Sequence, residues 1–137
     1  MISMRKLIIL VSIIALTALV CGCCSVCNFS KSINTGMSKK TYTLDGYTFE
    51  GVEVGLNEGN VLKYTVNSNG PSVDIYIVDE DNYKLLQANS EEWDYIYYDY
   101  AEPSVSGEFT AYEDGTYYFV IDNYNDETAI VSTDLSW

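Results

Sequence analysis

The sequence predicts an all-β fold: a jelly-roll-like antiparallel β-sandwich of about eight strands, preceded by an N-terminal hydrophobic helix. Three observations predict it. Short runs of alternating apolar and polar residues recur about every eight to twelve residues from Thr41 onward. Clusters of Asp, Asn, Gly and Pro separate these runs. No long apolar pattern of helical period interrupts the series.

The chain opens on the basic pair Arg5-Lys6. Leu7 to Val20 follows, fourteen residues without a charge and with only Ser12 and Thr17 polar. A spanning helix needs about 20 residues, so this length is that of the apolar part of an export signal. All four cysteines come next, within Cys21-Gly-Cys-Cys-Ser-Val-Cys27. Cysteine packs as a small apolar residue, so the run also extends to Val26, which is long enough to span.

Three readings stay open. Val20-Cys21-Gly22 ahead of Cys23 resembles a bacterial lipobox, which makes Cys23 the candidate lipid-attachment residue. Cys21 is the alternative, a poorer one because the bulky Val20 precedes it. An uncut segment would instead be a membrane anchor, with Arg5 and Lys6 on the cytoplasmic side. Simple cleavage and release is the third. All three put the remainder outside the cytoplasm. Cys24-x-x-Cys27 has metal-site spacing, but no second pair and no histidine stands anywhere to complete a zinc site.

The expected organisation is a signal or anchor over 1–24, a flexible tether over 25–40 and the sandwich over 41–137. The tether is rich in Ser, Asn, Gly, Thr and Lys. As a coil it reaches on the order of 20–25 Å. Its Lys31, Lys39 and Lys40 suit anionic headgroups.

Strands are expected at Thr41–Leu44 and Tyr47–Val54, joined through Asp45-Gly46 as a hairpin. Val61–Asn67 alternates, with Leu62, Tyr64 and Val66 on one face and Val61, Lys63 and Thr65 on the other. Ser68 to Pro71 turns the chain into Val73–Val78, with Val73, Ile75 and Ile77 inward and Asp74 and Tyr76 outward. Asp79–Asn82 reads as a turn before a strand at Tyr83–Leu86. Ser90–Trp93 suits one capped helical turn. Tyr95–Tyr100 has strand propensity. Val105, Gly107 and Phe109 share a face. Glu113-Asp-Gly115 turns into Thr116–Ile121, with Tyr117, Phe119 and Ile121 on one face. Asp122–Glu127 turns again, and Thr128–Leu135 closes the sandwich.

Composition excludes whole classes of chemistry. The chain has no histidine, so it holds no Ser-His-Asp triad, Cys-His pair or His-ligated zinc. It carries a net charge of −13, and Leu85 to Trp137 contains twelve acidic residues without one Lys or Arg. Nucleic acid is excluded as a partner, because phosphate contacts need cations. No cysteine follows Cys27, so the exported part folds by burial without a disulfide.

The C-terminal half also resembles known domains. Ser106-Gly-Glu-Phe-Thr-Ala-Tyr-Glu-Asp-Gly-Thr-Tyr-Tyr-Phe-Val-Ile-Asp-Asn123 is similar to the closing strands of pre-peptidase C-terminal domains and of GOLD (emp24-like) domains. Leu62-Lys-Tyr-Thr-Val66 and Val73-Asp-Ile-Tyr-Ile-Val-Asp79 resemble their earlier strands. The resemblance covers about residues 50–135. It implies an extracytoplasmic accessory or binding sandwich without catalytic activity.

Two constellations are candidate sites. Asp79, Asp81 and Asn82, and then Asp122, Asn123, Asn125 and Asp126, are oxygen-rich runs of the kind that ligates calcium, which takes 6–8 oxygens. The same residues also favour turns and solubility. Trp93, Tyr95 and Tyr97 lie among Glu91, Glu92, Asp94 and Asp99. Exposed rings beside carboxylates suit a sugar or a cationic group. The same rings also suit the filling of a sandwich that has no disulfide. On a regular strand Tyr95, Tyr97 and Asp99 share one face, the expected ligand surface, and Ile96, Tyr98 and Tyr100 share the other.

These features predict a membrane-anchored, extracytoplasmic binding module that is not an enzyme and holds no cofactor. Its partners would be the membrane, through the N-terminus, and another surface protein or a glycan. The alternative is a calcium-stabilised structural domain of a surface or secretion assembly.

Overall fold

The computed structural model describes residues 35–137. The expected signal, its hydrophobic helix, Cys21 and Cys23 lie outside the described residues. The strands are β1 (Met37–Leu44), β2 (Thr48–Leu56), β3 (Val61–Asn69), β4 (Val73–Asp79), β5 (Tyr97–Ala101), β6 (Ser104–Thr110), β7 (Gly115–Asn123) and β8 (Ala129–Ser136). One helix, α1 (Glu80–Gln87), follows β4.

The strands form two antiparallel four-stranded sheets, β1-β8-β3-β6 and β2-β7-β4-β5. This is jelly-roll order. Alternation decides which side chains meet between the sheets. Leu62, Tyr64 and Val66 of β3 face Val73, Ile75 and Ile77 of β4 and Tyr117, Phe119 and Ile121 of β7, all buried. Each such aliphatic or Phe side chain contributes roughly 1.5–3 kcal/mol by leaving water. With no cysteine after residue 27, this burial is the main source of stability.

The expected hairpin at Asp45-Gly46 is not one. β1 pairs with β8 and β2 pairs with β7, so the chain crosses between sheets there. Gly46 serves close approach instead of hairpin geometry. A Cβ on it would lie 2.6 Å from the Asp126 carbonyl oxygen. Tyr47 takes φ 59°, and its N–H donates to Asn125 O at 3.0 Å. Buried Asn123 locks the crossing. Its Nδ2 donates to the carbonyls of Leu44, Asp45 and Glu127 at 3.0, 3.2 and 2.7 Å.

Three further boundaries differ from expectation. The first strand begins at Met37, inside the expected tether, because β8 supplies ladder partners as far as Ser136. Lys39 pairs with Asp134 at 2.7 Å, and Lys40 lies over the Tyr42 ring at 4.6 Å. Such an edge strand is mostly exposed and carries little apolar periodicity.

The segment at 80–87 is helix, not a turn and strand. Asp79 Oδ1 accepts from Asn82 N at 2.8 Å, an N-cap, and Glu80 and Asp81 occupy the positive first turn. Glu80 pairs with Lys84 at 2.8 Å. The helix lays Tyr83 and Leu86 on the outer face of the second sheet. Val78, Leu86 and Val120 form a second small core there, with Phe49, Tyr76, Tyr83, Trp93 and Tyr118 around it. Tyr83 stacks on Tyr118 at 3.9 Å and covers Gly51. Ser90–Trp93 lies beyond the helix as a turn, with Ser90 Oγ accepting from Glu92 N.

Lastly, Asp122 and Asn123 belong to β7, and the turn begins after them.

The strand directions sort the loops to two ends. Gly36 and Trp137 exchange backbone bonds of 2.6 and 3.0 Å at one end, the base. β1 runs from there over about 26 Å to the other end, the tip. The crossing at Asp45–Tyr47 and the β7–β8 turn meet at the tip, where Tyr47 and Tyr124 contact edge-on at 6.3 Å.

Candidate functional site

The outward residues of the second sheet form cross-strand rows. Register aligns Tyr100, Asp74 and Asp122 in one row and Tyr98, Tyr76 and Val120 in the next. β2 adds Phe49 to the first and Gly51 to the second. Residues placed this way have Cβ atoms about 4.5–5.5 Å apart, close enough to act together.

The segment between α1 and β5 folds over these rows. Trp93 stands edge-on to Tyr76 at 5.1 Å and 82°. Tyr95 and Tyr98 tilt against Tyr76 at 5.5 and 5.4 Å, inclined by 41° and 36°. Asp94 N donates to Asn82 Oδ1 at 2.8 Å, which ties this segment to the start of α1. Tyr95, Tyr98 and Tyr100 nevertheless stay 47%, 44% and 53% exposed, so these rings form a surface and not a core.

Asp74 organises the polar side of the patch. Tyr98 Oη donates to its Oδ1 at 3.0 Å, and Tyr76 Oη to its Oδ2 through a longer bond of 3.4 Å. Burial first, and then Asp74, push the Asp122 carboxyl up to about 6. Burial, followed by the charge of Asp74, raises the Tyr76 hydroxyl well above its ordinary range. Burial, then the bond to Asp74, raises Tyr98. No Lys or Arg stands on β2, β4, β5, β7 or residues 88–96. Asp74 and Asp122 therefore adjoin without a basic residue from these segments.

The structure brings Trp93 and Tyr95 together on this face but sends Tyr97 to the other side. Ile96 N donates to Ile77 O at 2.8 Å, although the register partner of Ile77 is Tyr97. Two residues thus meet one, and the irregularity breaks the alternation that would have kept Tyr95 and Tyr97 on one face. Tyr97 Oη lies 3.0 Å from Tyr64 Oη, and Tyr64 Oη donates to Asp99 Oδ2 at 2.6 Å. This cluster clasps the two sheets together. Burial, then the bonds to Asp99 and Tyr97, hold the Tyr64 hydroxyl protonated far above its ordinary range. Asp74, Tyr76, Tyr98, Tyr100 and Asp122 were not expected in the ligand surface. Asp74 and Tyr76 were legible as outward-facing, but their neighbours come from register between distant segments.

The two oxygen-rich runs do not converge. Asp79 pairs with Tyr117 at the base end of β7, whereas Asp122 pairs with Asp74 at its tip end. The five residue steps from Asp74 to Asp79 span about 17 Å. Asp79 Oδ1 also accepts from Asn82 Nδ2 at 2.8 Å, and Asn123 spends its amide on the three carbonyls of the crossing. Asn125 Nδ2 donates to Ser72 O at 2.8 Å. Among the described residues no group of three acidic side chains is arranged to hold a metal. Asp79, Glu80, Asp81 and Glu113 do line an open cleft of about 270 Å³ with Thr116 and Tyr117. Burial, then Glu113, push the nearby Tyr112 hydroxyl up to about 12.

No protein-family model and no curated protein matches the chain. Solved structures do match its fold. The pre-peptidase C-terminal domain of a collagenase from Bacillus anthracis matches with a TM-score of 0.54 at 13% identity, over 72% of this chain and 87% of that one. The Yersinia pseudotuberculosis-derived mitogen matches with a TM-score of 0.52 at 15% identity, over 74% and 86%. A periplasmic inhibitor of g-type lysozyme from Aeromonas hydrophila gives 0.47 at 17% identity, over 79% and 90%. The resemblance to pre-peptidase C-terminal domains read from the strands is thus met at the level of fold.

Proposed function

We propose that the chain is a non-catalytic binding module, displayed outside the cytoplasm and held at a membrane by the residues ahead of the sandwich. Its partner is another protein, received on the outer face of the second sheet. One observation carries this reading: Tyr95, Tyr98 and Tyr100 remain about half exposed on one sheet face, grouped with Trp93 and Tyr76 around Asp74. Large aromatic side chains are those that dominate binding energy at interfaces. The face also suits display. Its Tyr100–Asp74–Asp122 row lies toward the tip, whereas the chain enters the sandwich at the base.

The test is the size of complexes released from detergent-solubilised membranes. The wild-type chain is expected to migrate with a partner. Tyr98→Ala with Tyr100→Ala is expected to migrate alone, while Thr65→Ala with Ser106→Ala, on the outer face of the first sheet, keeps the complex. Loss from the second pair and not the first would refute the assignment. A complex that dissolves on glycosidase treatment would move the partner from protein to glycan.

A further inference from the structure

The partner's chemistry can be read from the same face, on the premise that it is the binding surface. We propose that the face receives a Lys- or Arg-bearing segment of the partner protein, with the cation held between the exposed tyrosines and the Asp74–Asp122 pair.

Charge complementarity comes first. Asp74 and Asp122 are ladder partners on adjacent strands, and like charges directly opposite each other are destabilising. Among the described residues, Lys84 on α1 is ion-paired with Glu80, and Lys39 with Asp134 of the other sheet. Phe49 flanks Asp122 from β2, and Tyr76, Tyr98 and Tyr100 complete the two rows from β4 and β5. An incoming cation would neutralise the carboxylate pair and meet the π faces of rings that attract it.

Ring geometry argues against a sugar. A pyranose needs a flat platform and hydroxyl partners. Tyr76, Tyr95 and Tyr98 incline to one another by 36° to 46°, and Trp93 is edge-on. A guanidinium or ammonium group needs only negative potential and a ring face, and this arrangement offers both. Arginine adds a planar fork that fits carboxylates in pairs.

The test uses the full-length chain in detergent with three probes: hexaarginine, its uncharged isostere hexacitrulline, and the neutral sugar chitohexaose. Hexaarginine is expected to bind at physiological salt, and hexacitrulline at least about tenfold more weakly. Asp74→Asn with Asp122→Asn is expected to weaken hexaarginine about tenfold, and Tyr98→Ala with Tyr100→Ala by a similar factor. Glu108→Gln with Asp134→Asn removes the same charge from the opposite sheet and is expected to change binding less than about twofold. Asp122→Asn alone serves if the double variant fails to fold.

Equal losses from both carboxylate pairs would reduce the effect to diffuse attraction by an acidic protein and overturn the proposal. So would hexacitrulline or chitohexaose binding as tightly as hexaarginine. If the membrane complex still depends on Tyr98 and Tyr100 while charge does not matter, the binding face stands and the cationic assignment alone falls.

Discussion

Asn123 does at one residue what a hairpin would have done for two strands. Its buried amide donates to three carbonyls where the chain changes sheets; Asn123→Leu takes that donor from the Leu44 and Glu127 carbonyls, while the Asp45 carbonyl keeps Thr48. We expect a loss of about 3 kcal/mol, read from urea unfolding; a loss below about 0.5 kcal/mol would contradict the role. Asp122 acts in the opposite sense. Its carboxyl titrates near 6 in the fold and near 4 when unfolded, so the folded state binds the extra proton between those values. Stability from this group is therefore present below about pH 4 and lost as pH rises through about 6. A displacement of that size is worth about 3 kcal/mol in a dry site, and screening of a half-buried side chain reduces it to about 1 kcal/mol. Asp122→Asn should raise stability by that amount at pH 8 and leave it unchanged at pH 3.5. Neither role was legible in the sequence, where both residues looked like members of one acidic turn. Burial and register, which a linear pattern does not contain, separate them.

At the scale of elements, alternation was the reliable guide. The inward set of β4 and the residues that share a face in β3 and β7 could be read directly, because a strand buried on one face must alternate. Two failures have clear causes. Asp45-Gly46 is a hairpin signal because Gly permits unusual backbone angles, but here Gly is required by contact with Asp126. The helix was missed because eight residues are too few to display a helical period, and its cap, Asp79, was read as turn chemistry. Asp79→Ala should cost about 1 kcal/mol and loosen Trp93 over Tyr76, seen as a change in tryptophan fluorescence. The same geometry bears on the calcium reading. With the two oxygen-rich runs at opposite ends, calcium or a chelator should shift Tm by less than about 1 °C, and a larger rise with calcium would support the structural metal role instead.

At the scale of the whole molecule, jelly-roll order means that, among the described residues, β4 and β5 are the only sequence-adjacent strands that pair. They are separated by α1 and the aromatic segment, so the one local pairing of the fold also builds the candidate face. The two-sheet class was legible because many short alternating strands have few other ways to bury their apolar sides. The face was half legible: the aromatic cluster stood out, but its carboxylates and its orientation depend on pairings across dozens of residues. The most direct test of the account is photo-crosslinking in intact cells, with a photoreactive amino acid at Tyr100 on the candidate face or at Thr65 on the opposite sheet. The account predicts a discrete protein adduct from position 100 and none from position 65. Adducts from position 65 alone, or the same adducts from both, would contradict it.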